Sequence, residues 1–132
     1  IEELATIFEI KESIKQPVKS LSLGQRMKCE MAASLLHNPK MLFFDEPTIG
    51  LHPLDVKTLL AVMQQLLDRG ATIITITHDL NLIINADYML DMGPRGGSNG
   101  GETVAQGNPL ALIQKPESLT SKYLAEYWSR FN

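Results

Sequence analysis

The sequence predicts an α/β fold, three layers deep, on a mostly parallel sheet. Three observations predict it. Strand patterns alternate with helical patterns along the chain, the order that builds parallel sheets. The run Met41-Leu42-Phe43-Phe44 is continuously apolar, as in strands covered on both faces. Polar residues follow two strand patterns directly, Asp45-Glu46 after the first and His78 after the second, where open α/β sheets place their ligands.

The elements follow in order. Residues 2–9 read as a short amphipathic helix, and residues 13–20, with Pro17, as a connection. A long helix follows, with Met27, Met31, Ala32, Leu35 and Leu36 on one face. Ser22 is its natural N-cap, and Gln25 three residues on completes a capping-box pattern. Asn38-Pro39 is the expected stop. After the 41–44 strand, Pro53 has the place of a first helical residue. That helix runs to Arg69 with Val56, Leu59, Leu60, Met63, Leu66 and Leu67 inward, and Gly70 closes it as a left-handed cap. Residues 72–76 form a β-branched strand, 80–85 a short helix and 87–90 another strand. The glycine-rich residues 93–101 read as a hairpin-like connection to a strand over 102–106. After a turn at 107–109, helices over 110–114 and 118–131 finish the chain.

Composition sets bounds. The 132 residues are 44% hydrophobic and 20% charged, the balance of one globular domain. A net charge of −3 gives no electrostatic footprint for nucleic acid, so direct nucleic-acid binding is not expected of this segment. Cys29 is the single cysteine, which excludes an internal disulfide and a cysteine-based zinc module and fits a reducing, cytoplasmic compartment. No apolar run reaches the ~20 residues of a membrane span, and no secretory leader is visible. The opening at Ile1, inside a plausible helix, suggests a fragment, a processed product or an engineered piece.

Two adjacent carboxylates at the end of an apolar strand need compensating charge. A Mg²⁺ ion with triphosphate supplies it, because Mg²⁺ takes one or two carboxylates together with water and phosphate oxygens. Successive strand residues point apart, so Asp45 suits the metal and Glu46 the attacking water.

At this point the motifs resemble a known family. Leu21-Ser22-Leu23-Gly24-Gln25-Arg26 resembles the signature motif of ABC-type ATPases, and residues 41–48 resemble their Walker B strand with its catalytic glutamate. Ile49-Gly50-Leu51-His52 stands at the D-loop position and Thr77-His78-Asp79 at the switch-histidine loop, all in the family's order. The resemblance implies a partial P-loop NTPase fold and an ATP hydrolase that works at a dimer interface with ATP and Mg²⁺. Asp45 would hold the metal, and Glu46 would polarise the attacking water. His78 would sense the γ-phosphate. Ser22, Gly24 and Gln25, with Gly50 and His52 of the D-loop, would face ATP held by a partner. Two departures stand out: Leu23 replaces the common glycine, and His52 stands where many transporters carry aspartate.

The resemblance changes along the chain. Residues 1–50 look like an exporter ATPase subunit, whereas 51–132 look like the second ATPase module of the UvrA family of DNA-repair ATPases. A chimera with a junction near Gly50–Leu51 is the expectation, within a single partial domain. The family's phosphate-binding Walker A motif, Gly-x-x-x-x-Gly-Lys-Ser/Thr, does not occur in these residues, and the central strand that carries it is therefore missing. The strand ending before His78 is expected to close that gap by pairing with the 87–90 strand. The implied partners are a second nucleotide-binding domain or a missing N-terminal half, a homo-oligomer, and a membrane subunit in a parent transporter. Little activity is expected of the chain alone. The competing readings are a non-enzymatic engineered or recombined chimera, and a DNA-repair ATPase fragment of UvrA type.

Overall fold

A computed structural model describes residues 2–93, 100–114 and 118–130. The chain divides into two compact units, Ile1–Thr77 and His78–Asn132.

The first unit opens with α1 (Glu2–Ile7), whose end is marked by Glu9 at positive φ. Phe8 and Ile10 are buried just beyond it. Two short 3-10 turns, Ser13–Lys15 and Val18–Ser20, make the Pro17 connection. Helix α2 (Leu23–Ser34) starts as its sequence demands: Ser22 Oγ accepts from the Gln25 N–H, and Gln25 Oε1 accepts from the Ser22 N–H. Such a box satisfies two of the four orphan donors at a helix start. The helix stops at Ser34, short of the expected Asn38-Pro39. Its last turn tightens to i→i+3 bonds at Leu35 and Leu36, and Asn38 shapes the following loop at φ +50.

Strand β1 (Met41–Asp45) pairs in parallel with β2 (Thr72–Ile76), with Phe43 opposite Ile74 and Asp45 opposite Ile76. Between them runs α3 (Pro53–Asp68), which packs on β2 and buries Val56, Leu59, Val62, Met63 and Leu66. Gly70 ends it at φ +86, its N–H bonded to Leu67 O while the Ala71 N–H reaches Leu66 O, the pairing of a left-handed glycine cap.

The expectation that β1 is buried on both faces is corrected. Leu42 is 6% exposed, whereas Phe43 is 70% exposed, with Met41, Ile74 and Ile76 also open. Partnered residues of a parallel pair share a face, so Met41, Phe43, Ile74 and Ile76 form one apolar surface. The other face holds the buried Leu42, and α3 packs on β2.

The second unit begins with α4 (Leu80–Ile84), capped by Asp79 through the Asn81 N–H. Strands β3 (Met89–Gly93) and β4 (Glu102–Gly107) form an antiparallel pair with a bulge at Asp91/Met92. Antiparallel pairing is what the expected hairpin requires; most of the connection between the strands lies outside the described residues. The expected direct pairing of the strand before His78 with the 87–90 strand is not formed. Among the described residues β2 is bonded to β1, and β3 to β4. The bulged hairpin gives β3 an antiparallel partner that follows it closely in sequence, and such local pairing closes a shorter loop than a crossover would.

Helices α5 (Pro109–Gln114) and α6 (Leu119–Ser129) pack on each other, and α5 lies on β4. Asn108 Oδ1 accepts from the Leu110 N–H ahead of α5. Ser118 and Ser121 form a buried reciprocal cap at the start of α6. Leu124 is fully buried, Thr120 Oγ1 donates to Asp91 Oδ1 at 3.0 Å, and the Tyr127 hydroxyl donates to Asn81. Among the described residues no helix is long and apolar enough to cross a membrane.

Candidate functional site

The polar end of the first unit is made by β1, the loop after it and the tip of α2. β1 delivers Asp45 opposite Ile76, and the ladder continues one step further, with the Glu46 N–H bonded to Ile76 O at 2.8 Å. The chain turns there. Glu46 has φ +46, a left-handed conformation uncommon outside glycine and worth about 1–2 kcal/mol of local strain. Strain of this kind persists where neighbouring bonds over-determine it, and here the ladder bond on Glu46 N–H and the buried Pro47 flank it. Asp45 is exposed and Glu46 half-buried.

The following loop is stitched by turns. Ile49 N–H bonds to Glu46 O, and Leu51 N–H to Thr48 O. Gly50 has φ +75, and a Cβ there would lie 2.3 Å from Leu23 Cδ2. The left-handed φ favours glycine there, and an added Cβ would displace the end of the Leu23 side chain. His52 then caps α3, its Nδ1 accepting from the Leu54 N–H at 3.3 Å. That bond fixes the proton on Nε2 in the neutral ring.

Gly24 lies against the same loop. A Cβ on it would come 3.7 Å from Leu51 Cδ2 and from Asp55 Oδ2, and 3.9 Å from Gly50 O. The fold thus brings the start of α2, at Leu23 and Gly24, against Gly50 and Leu51; Ser22 and Gln25 cap that helix and His52 caps α3. Asp45 and Glu46 stand at the start of the same loop. His78 opens the second unit, one residue ahead of the Asp79 cap of α4, and is exposed.

Two chemically important side chains escaped the sequence reading. Lys28 Nζ lies 2.6 Å from Asp55 Oδ1, with side chains 14% and 27% exposed. This bond is the main reason the Asp55 carboxyl is held below the usual carboxylate range; burial opposes it, and the Lys28 charge and a backbone hydrogen bond from His52 assist. A signal was present in the pattern. Lys28 stands three, four and seven residues before the buried Met31, Ala32 and Leu35, so it lies on the inward stripe of α2. A cation there needs a partner. Cys29 is different: burial, and then Glu30, push its thiol up, away from reactivity.

Comparison with known proteins gives consistent likenesses. The family described as "AAA domain, putative AbiEii toxin, Type IV TA system" matches residues 3–85. UvrABC system protein A of Aquifex aeolicus (strain VF5) is 43% identical over 115 residues, covering 85% of this chain and 12% of that protein. That alignment is longer than the chain from Leu51 onwards, so the likeness extends into the first 50 residues. Among solved structures, UvrA2 from Deinococcus radiodurans matches with TM-score 0.69 and 37% identity, over 80% of this chain and 13% of its own. CbiO1 from Clostridium perfringens, part of the ABC transporter complex cbiONQ, matches with TM-score 0.66 and 28% identity, over 88% of this chain and 45% of its own. The chain thus spans about an eighth of the curated relative it matches.

Proposed function

Because this chain belongs to the family described as "AAA domain, putative AbiEii toxin, Type IV TA system" and has the fold of ABC-type ATPase domains, we propose that it carries the water-activating and partner-facing half of an ATP site. The phosphate-cradling loop belongs to a partner chain or to a segment outside these residues. The observation that carries this reading is the end of β1, where Asp45 and Glu46 leave the parallel ladder together and Glu46 is pinned by its N–H to Ile76 O.

The donor set fits Mg²⁺ in company with a nucleotide. Among the described residues no three histidine, cysteine or acidic side chains gather to hold a metal by themselves. Two adjacent carboxylates are what Mg²⁺ takes when phosphate oxygens and waters complete its octahedron. Asp45, the more exposed of the two, would hold it, and the ion when bound neutralises charge on the phosphates. Glu46, at the turn directly after the strand, would orient the attacking water through its carboxylate. His78 would meet the γ-phosphate as hydrogen-bond donor.

Ser22, Gly24 and Gln25 would face nucleotide held by the partner. A helix start offers unsatisfied N–H groups and a positive dipole end, and Gly24 lets backbone approach closely. Gly50 and His52 would present the adjoining loop to the same partner. Phosphoryl transfer depends mostly on positioning and charge, so a half-site without its cradle would bind nucleotide weakly and turn it over negligibly. A second nucleotide-binding domain is the partner this geometry suits. ATP and Mg²⁺ are the ligands.

Paramagnetic broadening tests the assignment. Mn²⁺·ATP, with Mn²⁺ standing in for Mg²⁺, should broaden the backbone amide signals of Asp45, Glu46 and Pro47's neighbour Thr48 first. Asp45→Asn should remove the effect while leaving the fold's spectrum intact. Broadening centred elsewhere, or unchanged in the Asp45→Asn chain, would overturn the proposal.

A further inference from the structure

The ion pairs Lys15–Glu12, Arg26–Glu30 and Arg69–Glu3 lie on the surface, with every side chain more than half exposed. Pairs of that kind contribute little. Lys28–Asp55 differs in three respects. It is short, at 2.6 Å; both side chains are largely covered; and it joins two helices, α2 and α3. It is also placed where two predicted motifs meet. Asp55 lies in the first turn of α3, directly after the residue 50–52 loop, its N–H bonded to His52 O at 2.8 Å. Lys28 lies one turn beyond Gly24, where an added Cβ would come 3.7 Å from the same carboxylate and from Leu51.

We propose that Lys28 and Asp55 are positioning residues that clamp the tip of α2 to the residue 50–52 loop, so that the two motifs move as one rigid edge. Leu23 contributes the apolar half of the clamp by filling the space beside Gly50. The ion pair contributes the directional half. The stitched turns from Glu46 to Leu51 then extend that rigidity to the strand-end carboxylate. A change at the α2 tip is transmitted to Glu46 through packed and bonded groups. The functional meaning of the clamp rests on the ATP-site reading, since both motifs it joins are the ones proposed to face a partner's nucleotide.

Amide hydrogen exchange on the full chain tests it without nucleotide. Three bonded amides report on the two sides: Gln25 and Arg26 on α2, and Leu51 in the loop. Lys28→Met, which keeps the aliphatic stem, and Asp55→Asn, which keeps the shape, should each speed exchange at all three by about tenfold. Amides of the β1–β2 ladder should be unchanged. The charge-exchanged double variant K28E/D55K should restore protection on both sides together. Loosening confined to α2, or a uniform rise across the unit, would overturn the clamp. If the three amides loosen together but Mn²⁺·ATP broadens nothing, the clamp stands and the ATP reading falls.

Discussion

The Cδ2 atom of Leu23 lies 2.3 Å from where a Cβ on Gly50 would sit. The side chain at the tip of α2 therefore lies against the loop after β1.

Gly50→Ala follows from that contact. Gly70 is the matched control, because it has a similar φ of +86 and nothing within 4 Å of its would-be Cβ. Gly70→Ala should cost the strain alone, about 1–2 kcal/mol. Gly50→Ala should cost that plus a rotation of the exposed Leu23 side chain, about 0.5–1.5 kcal/mol more. Urea unfolding of both variants reads the difference, and equal losses would show that Leu23 yields freely.

The Asp55 carboxyl gives stability a particular pH dependence. The hydrogen bond from Lys28 holds its folded pKa below the ordinary value. The stabilisation is then complete above the unfolded pKa of about 3.9, and is lost as pH falls through the lowered folded value. The stability gap between the native chain and Asp55→Asn should stay constant from about pH 7 to 5 and close below about pH 4. A gap that persists in acid would mean the asparagine cost comes from packing.

The two faces of β1 should respond oppositely to substitution. Leu42→Ala removes a buried side chain and should cost about 2–4 kcal/mol. Phe43→Thr alters an exposed one, keeps strand propensity, and should stay within about 0.5 kcal/mol while raising solubility. Equilibrium unfolding and light scattering check the pair; a large loss at Phe43 would mean that its face is covered in solution.

In the second unit Leu124 is fully buried. Leu124→Ala should cost about 2–5 kcal/mol, and Ser118→Ala, which breaks the reciprocal cap with Ser121, about 1 kcal/mol. Thermal unfolding monitored by circular dichroism measures both.

Local chemistry was what the sequence made legible. The Ser22–Gln25 box, Pro53 at the start of α3, the Gly70 cap and the β-branched β2 strand rest on short-range rules, and each is present. Burial was read less well. Met41–Phe44 has the composition of a doubly covered strand, but composition does not say whether a covering layer lies within the same residues, and Phe43 is open. The hairpin of β3 with β4 was legible, but the second pairing expected for β3, with β2, was not formed, because strand pairing between distant segments is a non-local choice. Lys28 carried a readable signal in its place on the inward stripe of α2, but its acceptor lies 27 positions away, on another element, at Asp55.

The division of the ATP site is tested most directly by steady-state phosphate release from Mg²⁺·ATP by the purified chain, native against Glu46→Gln. The account predicts that both stay at the protein-free background, because the acids, the histidine and the helix tip have no phosphate cradle within these residues. Release well above background in the native chain, abolished by Glu46→Gln, would contradict it.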